Sequence, residues 1–240
     1  MEPIDLTMTT ALRPDVLDKT LRSIRKNLIL DRELRLIINI ALVGGLGKYT
    51  ELDVHVVIQK YFTEYLTRSK KVSSSTDGLK WTWGKVQSDY ILQWEDDWEL
   101  LEKVDLSVLI KWMNQNSWTD MISLDRCGKS VLDYPESMKL FKHTHSNFWA
   151  KIDGTTTLVG FPTLYRRERI KEVVNLIDPQ FQLGVNSAKD TIQSVIHDWN
   201  IYTYTGIFGS LVQDIGRAWM EKNNLVRSIN SGGRTWVKGK

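Results

Sequence analysis

The first part of the chain alternates between strand-like and helix-like patterns of apolar residues. Ile4, Leu6 and Met8 alternate with polar residues, which is the two-residue period of a strand with one buried face. Pro14 then opens a segment in which apolar residues recur every three or four positions, as they do along one face of a helix. An apolar run over 34–43 ends in glycines and indicates a second, more buried strand. This order of strand, helix and strand predicts an α/β sheet with parallel neighbouring strands.

The pattern of the remaining residues predicts further elements of both kinds. Helical spacing predicts helices at 51–66, 104–114, 166–177, 186–198 and 216–221, and a short helix or turn at 81–88. Strand-like patterns occur at 90–97, 120–124, 148–165 (a strand pair or hairpin) and 201–212, whereas 68–78 is polar and predicts a loop. Because no repeat or linker interrupts the chain, we expect one domain over residues 1–221, followed by a basic tail over 222–240.

An acidic cluster directly follows one of the predicted strands. Tyr90–Trp94 is apolar except for Gln93, and Glu95, Asp96 and Asp97 come next. Three adjacent carboxylates repel one another, so the fold would gain by binding a hard divalent cation such as Mg²⁺ or Mn²⁺ there. A solvated acidic turn would give the same pattern. The tryptophans on both sides favour a partly enclosed site.

Composition narrows the class of protein. The 240 residues are 42% hydrophobic, which is enough for one large core. The single cysteine, Cys127, excludes an internal disulfide and fits a reducing compartment. No apolar run is long enough to cross a bilayer, and residues 1–5 lack the features of a signal peptide. We therefore expect no membrane partner and a cytoplasmic protein, in the host cytoplasm if the chain is viral.

Positive charge is concentrated at the end of the chain. The net charge of +3 excludes a general polyanion binder. From Lys222 to Lys240, however, there are five basic residues, no acidic residue and one aromatic, Trp236. Such an arm could touch nucleic acid, and so could the cations near Arg68. A frayed, solvated terminus is the other explanation of the tail.

Several segments resemble one known family. The strand end Thr9-Thr10 and the helix from Arg13 resemble the opening of family-two-like glycosyltransferases of the GT-A fold. The strand and acidic cluster at 89–97 resemble their metal motif, with Glu95-Asp96-Asp97 as a variant of DxD, and 162–168 and 189–191 resemble later family segments. The segment 212–219 resembles small soluble viral and phage glycosyltransferases. The resemblance implies a GT-A (Rossmann-like) mixed, mostly parallel sheet flanked by helices in a single domain.

The resemblance also implies an activity, namely metal-dependent transfer of a sugar from a nucleotide-diphosphate sugar, such as a UDP-sugar, to a hydroxyl acceptor. It implies that Glu95, Asp97 and Asp214 hold Mn²⁺ or Mg²⁺, and that Asp190 is the general base of an inverting reaction. The residues that it assigns to the nucleotide-sugar donor are Thr9, Thr10, Arg13, Asp96 and Arg217.

Two positions depart from the family pattern. The strand at 34–43 ends in Gly44-Gly45, where the family has an aspartate that contacts the base. Asp214 stands where the closing segment often carries a metal-binding histidine, and a carboxylate can take over that role.

The acceptor and the class of protein leave alternatives. The likeness to phage enzymes suggests a hydroxymethylated pyrimidine in DNA as the acceptor, and a glycan or protein hydroxyl is the rival. A non-catalytic nucleic-acid-binding module would also suit the basic tail. A nucleotidyltransferase should carry a loop rich in Gly, Lys and Arg after its first strand, and Thr9-Thr10-Ala11 argues against one. Asp190 could equally be a surface carboxylate in the first turns of a helix.

Overall fold

A computed structural model describes residues 2–71, 75–126, 139–142, 148–151, 162–177, 195–196, 199–205, 210–230 and 233–238. The strands within these stretches are β1 (Ile4–Ala11), β2 (Leu28–Ile29), β3 (Leu34–Ala41), β4 (Tyr65–Lys70), β5 (Tyr90–Glu95), β6 (Trp98–Leu100), β7 (Val104–Asp105), β8 (Met121–Leu124), β9 (Lys139–Lys142), β10 (Phe148–Lys151), β11 (Thr163–Arg166), β12 (Ile201–Thr205), β13 (Val212–Asp214), β14 (Leu225–Asn230) and β15 (Gly233–Lys238). The helices are α1 (Pro14–Asn27), α2 (Glu51–Gln59), α3 (Ser75–Gly84), α4 (Leu106–Gln115), α5 (Arg167–Val174) and α6 (Gly216–Lys222).

One large sheet organises these elements. Its order is β4-β3-β1-β5-β11-β8-β12-β10-β9. Among the first seven strands, only β11 runs against the others, and β10 and β9 then extend the sheet with antiparallel pairs. The predicted mixed, mostly parallel α/β sheet in a single domain is therefore confirmed.

Helices cover both faces of the sheet, as a mostly parallel sheet requires. On one face, α1, α2 and α4 pack their apolar residues against Leu6, Met8 and Trp94 in the larger core cluster. On the other face, α3 and α5 pack Leu79, Trp83 and Ile170 against the sheet in a second cluster.

Helix α1 illustrates how the sequence produces its local structure. Pro14 occupies its first turn, where a missing N–H costs no hydrogen bond, and Asp15 faces the positive end of the helix dipole. Leu17, Leu21 and Ile24 recur at helical spacing and are completely or almost completely buried. Burial of one such side chain contributes about 1.5–3 kcal/mol, so this stripe holds α1 in the larger core cluster.

The structure corrects three sequence predictions. The helix predicted over 51–66 ends at Gln59, and the chain returns as the edge strand β4, which overlaps the loop predicted over 68–78. The strands found within 148–165 do not form a hairpin with each other, because β10 pairs with β12 and β9, whereas β11 lies between β5 and β8. Much of the segment predicted as a basic tail is the β14–β15 hairpin.

No helix in the described part of the chain is long and apolar enough to cross a bilayer. Asp190, Cys127 and most of the helix predicted over 186–198 lie outside the described residues.

Candidate active site

The candidate site lies where β1 and β5 end side by side. Successive strands are added on one side of β1 as far as β4, and β5 starts the other half of the sheet. Open α/β sheets bind ligands outside the carboxyl ends of the strands at such a switch point. The register places Thr9 of β1 between Asn39 of β3 and Glu95 of β5. These three residues therefore form a row across the sheet, close to the carboxyl ends of the strands.

Arg13 holds the turn that follows β5. Its Nε lies 2.9 Å from Asp96 Oδ2, and its Nη2 lies 2.5 Å from Asp96 Oδ1, which makes a two-pronged ion pair. The same Nη2 donates to Asp97 Oδ2 at 2.9 Å. Thr10 Oγ1 also donates to Asp96 Oδ2, at 2.8 Å. One buried cation therefore organises two neighbouring carboxylates.

The acidic turn, residues 95–97, also accepts hydrogen bonds from α1 and from the residue that follows β13. Thr20 Oγ1 of α1 donates to the Asp96 carbonyl at 2.7 Å, and the Ile215 N–H donates to the Asp97 carbonyl at 2.8 Å. Antiparallel pairing of β6 with β13 sets Asp214 opposite Trp98. Residues that are more than a hundred positions apart in the chain are thus brought to one place.

Gly216, the first residue of α6, packs directly against the acidic turn. A side chain there would overlap the Asp97 carboxylate, since an added Cβ would lie 2.8 Å from Asp97 Cβ. Asp214 Oδ1 accepts from the N–H groups of Gly216 and Arg217 at 2.9 and 3.2 Å, so it caps the start of this helix.

A tryptophan of α6 completes the surroundings of Arg13. Trp219 Nε1 donates to Asp15 Oδ2 at 2.8 Å, which ties α6 to the first turn of α1. The guanidinium of Arg13 lies 6.0 Å from the centroid of the Trp219 ring, within range of a cation–π contact. The sequence assigned no role to Thr20, Gly216 or Trp219, although each lies in a segment that resembles the family, because each matters through a contact with a distant segment.

The pKa values of the charged groups at this site reflect their burial and an excess of carboxylates over cations. Burial, together with the Asp97 and Asp96 charges, raises the pKa of Glu95 to about 7. Burial also raises the pKa of Asp97, against the effect of Arg13, and Asp214 adds to that rise. Although burial acts in the opposite direction, Asp96 and Asp97 raise the pKa of Arg13, so this cation stays charged.

A cation on β4 extends the row of Thr9 and Asn39. Arg68 stands beside Asn39 in the register and donates to Asn39 Oδ1 at 2.8 Å. Arg68 and Lys70 both bond Asp77 Oδ2, at 2.7 and 3.2 Å, so one carboxylate pairs with two of the cations that the sequence offered for phosphates. The contribution of Asn39 was not recognised in the sequence.

The predicted donor-binding residues divide into two groups. Thr10, Arg13 and Asp96 are at most 5% exposed and bond one another, so the predicted contact of Asp96 with the donor would require the Arg13 pair to open. Thr9 is half-buried in the row at the edge, and Arg217 is exposed on α6.

The predicted metal ligands are brought together in part. Asp97 and Asp214 are neighbours, but among the described side chains no three Asp, Glu, His or Cys residues form a ready-made metal site. Mg²⁺ commonly takes one or two protein carboxylates and completes its shell with substrate phosphates. The surplus of carboxylates around Glu95 and Asp97 therefore fits a cation shared with a bound phosphate, rather than one caged by the protein alone.

Solved structures share this arrangement of strands and helices. S. aureus TarS in complex with UDP-GlcNAc matches with a TM-score of 0.55 and 11% identity over 85% of this chain and 58% of that one. CMP:2-keto-3-deoxy-manno-octonic acid synthetase complexed with CTP matches with a TM-score of 0.53 and 11% identity over 92% of this chain and 97% of that one. The fold is GT-A-like.

The comparisons establish the fold and no closer relationship. This chain spans 36% to 60% of the length of the TarS chains that it matches. No protein-family profile matches the chain, and no curated protein does so significantly.

Proposed function

We propose that this protein is a metal-dependent glycosyltransferase that moves a sugar from a nucleotide-diphosphate sugar, a UDP-sugar by preference, to a hydroxyl acceptor. One observation carries the proposal. The acidic turn lies at the switch point of a GT-A-like sheet, and its carboxylates outnumber the buried arginine that they share. A divalent cation and a pyrophosphate would complete such a site.

Each side chain of the candidate site has a role in this proposal. Asp97 and Asp214 would hold Mn²⁺ or Mg²⁺, with Glu95 as the predicted third ligand, and the ion would supply Lewis-acid stabilisation of the diphosphate leaving group. Arg13 fixes the acidic turn in place. Thr9 would line the donor pocket, and Arg217 on α6 would approach the phosphates as a fixed cation.

The acceptor side rests on the sequence alone. Asp190 is the proposed general base, which takes the proton from the acceptor hydroxyl as that oxygen attacks the anomeric carbon. A single attack from the opposite face inverts the configuration at that carbon. The proposed acceptor is a hydroxymethylated pyrimidine in DNA, as in phage DNA modification, and a glycan or protein hydroxyl is the competing acceptor.

A nucleotidyltransferase is the second candidate, favoured by the full-length match to the synthetase complexed with CTP. A cation that follows the first strand of such an enzyme would serve the triphosphate. Here the nearest arginine, Arg13, is 5% exposed and bonded to Asp96 and Asp97, which favours the glycosyltransferase.

Product analysis separates the two candidates. The protein is incubated with Mn²⁺, a panel of sugar nucleotides and either hydroxymethylated or plain DNA, and the products are weighed by mass spectrometry. A parallel reaction contains nucleoside triphosphates and free sugars. A glycosyltransferase releases a nucleoside diphosphate and adds a hexose or pentose mass to the acceptor. Release of pyrophosphate in the second reaction alone would favour the nucleotidyltransferase and contradict the proposal.

A matched pair of variants tests the metal role. Asp214→Asn keeps an oxygen to cap α6 but removes a charge, so it should lower kcat/KM by about 10²-fold or more. Glu221→Gln removes a charge from an exposed position of the same helix and should leave kcat/KM unchanged. Equal kcat/KM values for the two variants would show that Asp214 does not bind the metal.

A further inference from the structure

The large sheet ends at β4, whose outer side is called here the β4 edge. Among the described strands, β4 pairs with β3 alone. The Lys70 carbonyl accepts from the Leu42 N–H at 2.9 Å, so Lys70 directs its backbone groups toward β3. Because successive residues of a strand alternate in direction, the N–H and C=O groups of Tyr65, Thr67 and Ser69 point outward. A row of such groups is a template for pairing with another strand.

Exposed apolar side chains are concentrated beside this edge. The described part of the chain exposes eight large apolar side chains, and three of them belong to α2 and β4. Leu52 and Val56 of α2 are 70% and 50% exposed, and Leu66 of β4 is 44% exposed. No other described helix or strand carries more than one such side chain. Grouping of this kind is typical of a contact surface, whereas single exposed apolar residues need no explanation.

The charges along the edge are complementary to those of a second copy. If two β4 strands pair antiparallel about Thr67, Glu64 of each copy stands opposite Lys70 of the other, and both residues are exposed. Leu66 then stands opposite the aliphatic stem of Arg68, and the two Thr67 residues face each other, which is a favourable pair. A two-residue shift would centre the pair on Arg68 and set two arginines opposite each other.

We propose that two copies of this chain associate by antiparallel pairing of their β4 strands about Thr67, which joins the two large sheets into one. The two-fold axis makes each contact occur twice, so the Glu64–Lys70 pair is formed at both ends of the interface. The carboxyl ends of β1 and β5 then lie at opposite edges of the joined sheet in the two copies. The inference is independent of the proposed function, because association requires neither donor nor acceptor.

Charge reversal tests the pairing and its register. Sedimentation velocity of the parent over a range of concentrations gives the Kd of the dimer. E64K and K70E each set like charges opposite each other at both ends of the interface, so each should raise this Kd by about tenfold or more. E64K/K70E exchanges the two charges and restores the opposite pairs, so its Kd should return to within about threefold of the parent value.

Two controls reverse exposed charges elsewhere. E221K on α6 and K103E between β6 and β7 match the two single variants in charge and should leave the Kd of the dimer unchanged. Lys70 also lies 3.2 Å from Asp77 Oδ2 of its own chain, so K70E changes a contact within the fold as well. Urea denaturation of each variant as a dilute monomer therefore separates a loss of folding from a loss of association.

Hydrogen exchange of individual amides, measured by NMR, gives a second readout that does not depend on charge. As the protein concentration rises, exchange should slow at Tyr65, Thr67 and Ser69, whose N–H groups point outward. It should change little at Leu66 and Arg68, whose N–H groups point toward β3 at every concentration. This alternation is expected only if a strand is added to the β4 edge.

Three results would overturn the proposal. They are a parent that stays monomeric up to about 0.5 mM, which exceeds the range expected for a weak interface, a dimer whose Kd is unchanged in E64K, and exchange that slows without the alternation. Failure of E64K/K70E to recover the parent Kd, with its folding intact, would contradict the register about Thr67. Sugar transfer by a monomeric variant would leave the dimer proposal standing, so this proposal and the proposed function fail separately.

Discussion

Arg13 is the residue on which the acidic turn depends. Its side chain is buried and shared by Asp96 and Asp97, two carboxylates that would otherwise repel each other. A buried ion pair adds little over an apolar replacement of the whole group, but removal of one partner leaves an uncompensated charge inside the protein. The Arg13 side chain is therefore needed to keep the acidic turn in place, although the ion pair adds little net stability to the fold.

Replacement of this arginine should destabilise the whole fold. Arg13→Gln leaves Asp96 and Asp97 without their cation and should lower the free energy of unfolding by about 3–5 kcal/mol, measured by urea denaturation. Arg22→Gln on the same helix removes an exposed partner of Asp18 and should change stability by no more than about 0.5 kcal/mol. A loss below about 1 kcal/mol for Arg13→Gln would show that the pair is not closed in solution.

Glu95 makes stability depend on pH. Its pKa is about 7 in the fold against 4.5 for a free side chain, so the folded state binds the proton more tightly. Stability should therefore fall as the pH rises from about 4.5 to 7, and the loss is complete above that range. In chelator, Glu95→Gln should raise the free energy of unfolding at pH 8 by about 1–3 kcal/mol and leave it nearly unchanged at pH 4.

Urea denaturation of both proteins at several pH values measures this difference. Glu99→Gln, two residues further along, is the control, because it replaces a half-buried carboxylate outside the cluster. A gain from Glu95→Gln that did not depend on pH would mean that the pKa of Glu95 is the same in the folded and the unfolded protein.

Helix α3 lies unusually close to the sheet at one glycine. An added Cβ on Gly78 would lie 2.9 Å from Asn39 Nδ2 and 3.0 Å from Thr9 Cγ2, whereas an added Cβ on Gly84 meets nothing within 4 Å. The two glycines of one helix thus differ in what they contact. Because Gly78 has no side chain, α3 can lie close to Thr9 and Asn39 at the candidate site.

Alanine at these two positions should have opposite effects. Gly84→Ala should stabilise the protein by about 0.4–1 kcal/mol, because alanine restricts the unfolded chain and favours a helix. Gly78→Ala should destabilise it by about 1–3 kcal/mol, since the new methyl group displaces Asn39 and Thr9. Thermal unfolding of the two variants checks this, and equal gains would mean that α3 can move away from the sheet without cost.

Local periodicity predicted the elements that have a clear buried face. Strands β1, β3 and β5 and helix α1 lie close to their predicted positions, because their apolar residues repeat at periods of 2 or 3.6. The edge strand β4 was missed, since its sequence is mostly polar and just one neighbouring strand covers it. The neighbours of β11 could not be predicted, because they depend on pairing between distant parts of the chain.

The candidate site was predictable only where its residues adjoin a strand end. The acidic cluster follows β5 directly, so alternation and charge were enough to locate it. The pairing of Arg13 with Asp96 joins residues 83 positions apart, and no local pattern encodes such a contact. Sequence alone assigned both residues to the nucleotide, whereas the structure pairs them with each other.

For the molecule as a whole, the proposal predicts stabilisation by ligands that act together. If donor phosphates complete the metal shell, UDP and Mn²⁺ added together should raise Tm more than the sum of their separate effects. At a ligand concentration 100 times Kd, the gain is about 2.7 kcal/mol, or roughly 5–10 °C for a chain of this size. Differential scanning fluorimetry measures the shift, and Asp214→Asn should abolish the cooperative part. Purely additive shifts would argue against a shared ion.

The contact between Gly216 and Asp97 has a consequence for synthesis on the ribosome. The acidic turn and its arginine emerge early, but the segment that closes over them is made more than a hundred residues later. While those residues are being added, the nascent chain lacks the helix that packs on the acidic turn. Any product released before α6 is complete should keep much of its sheet and yet lack a finished pocket.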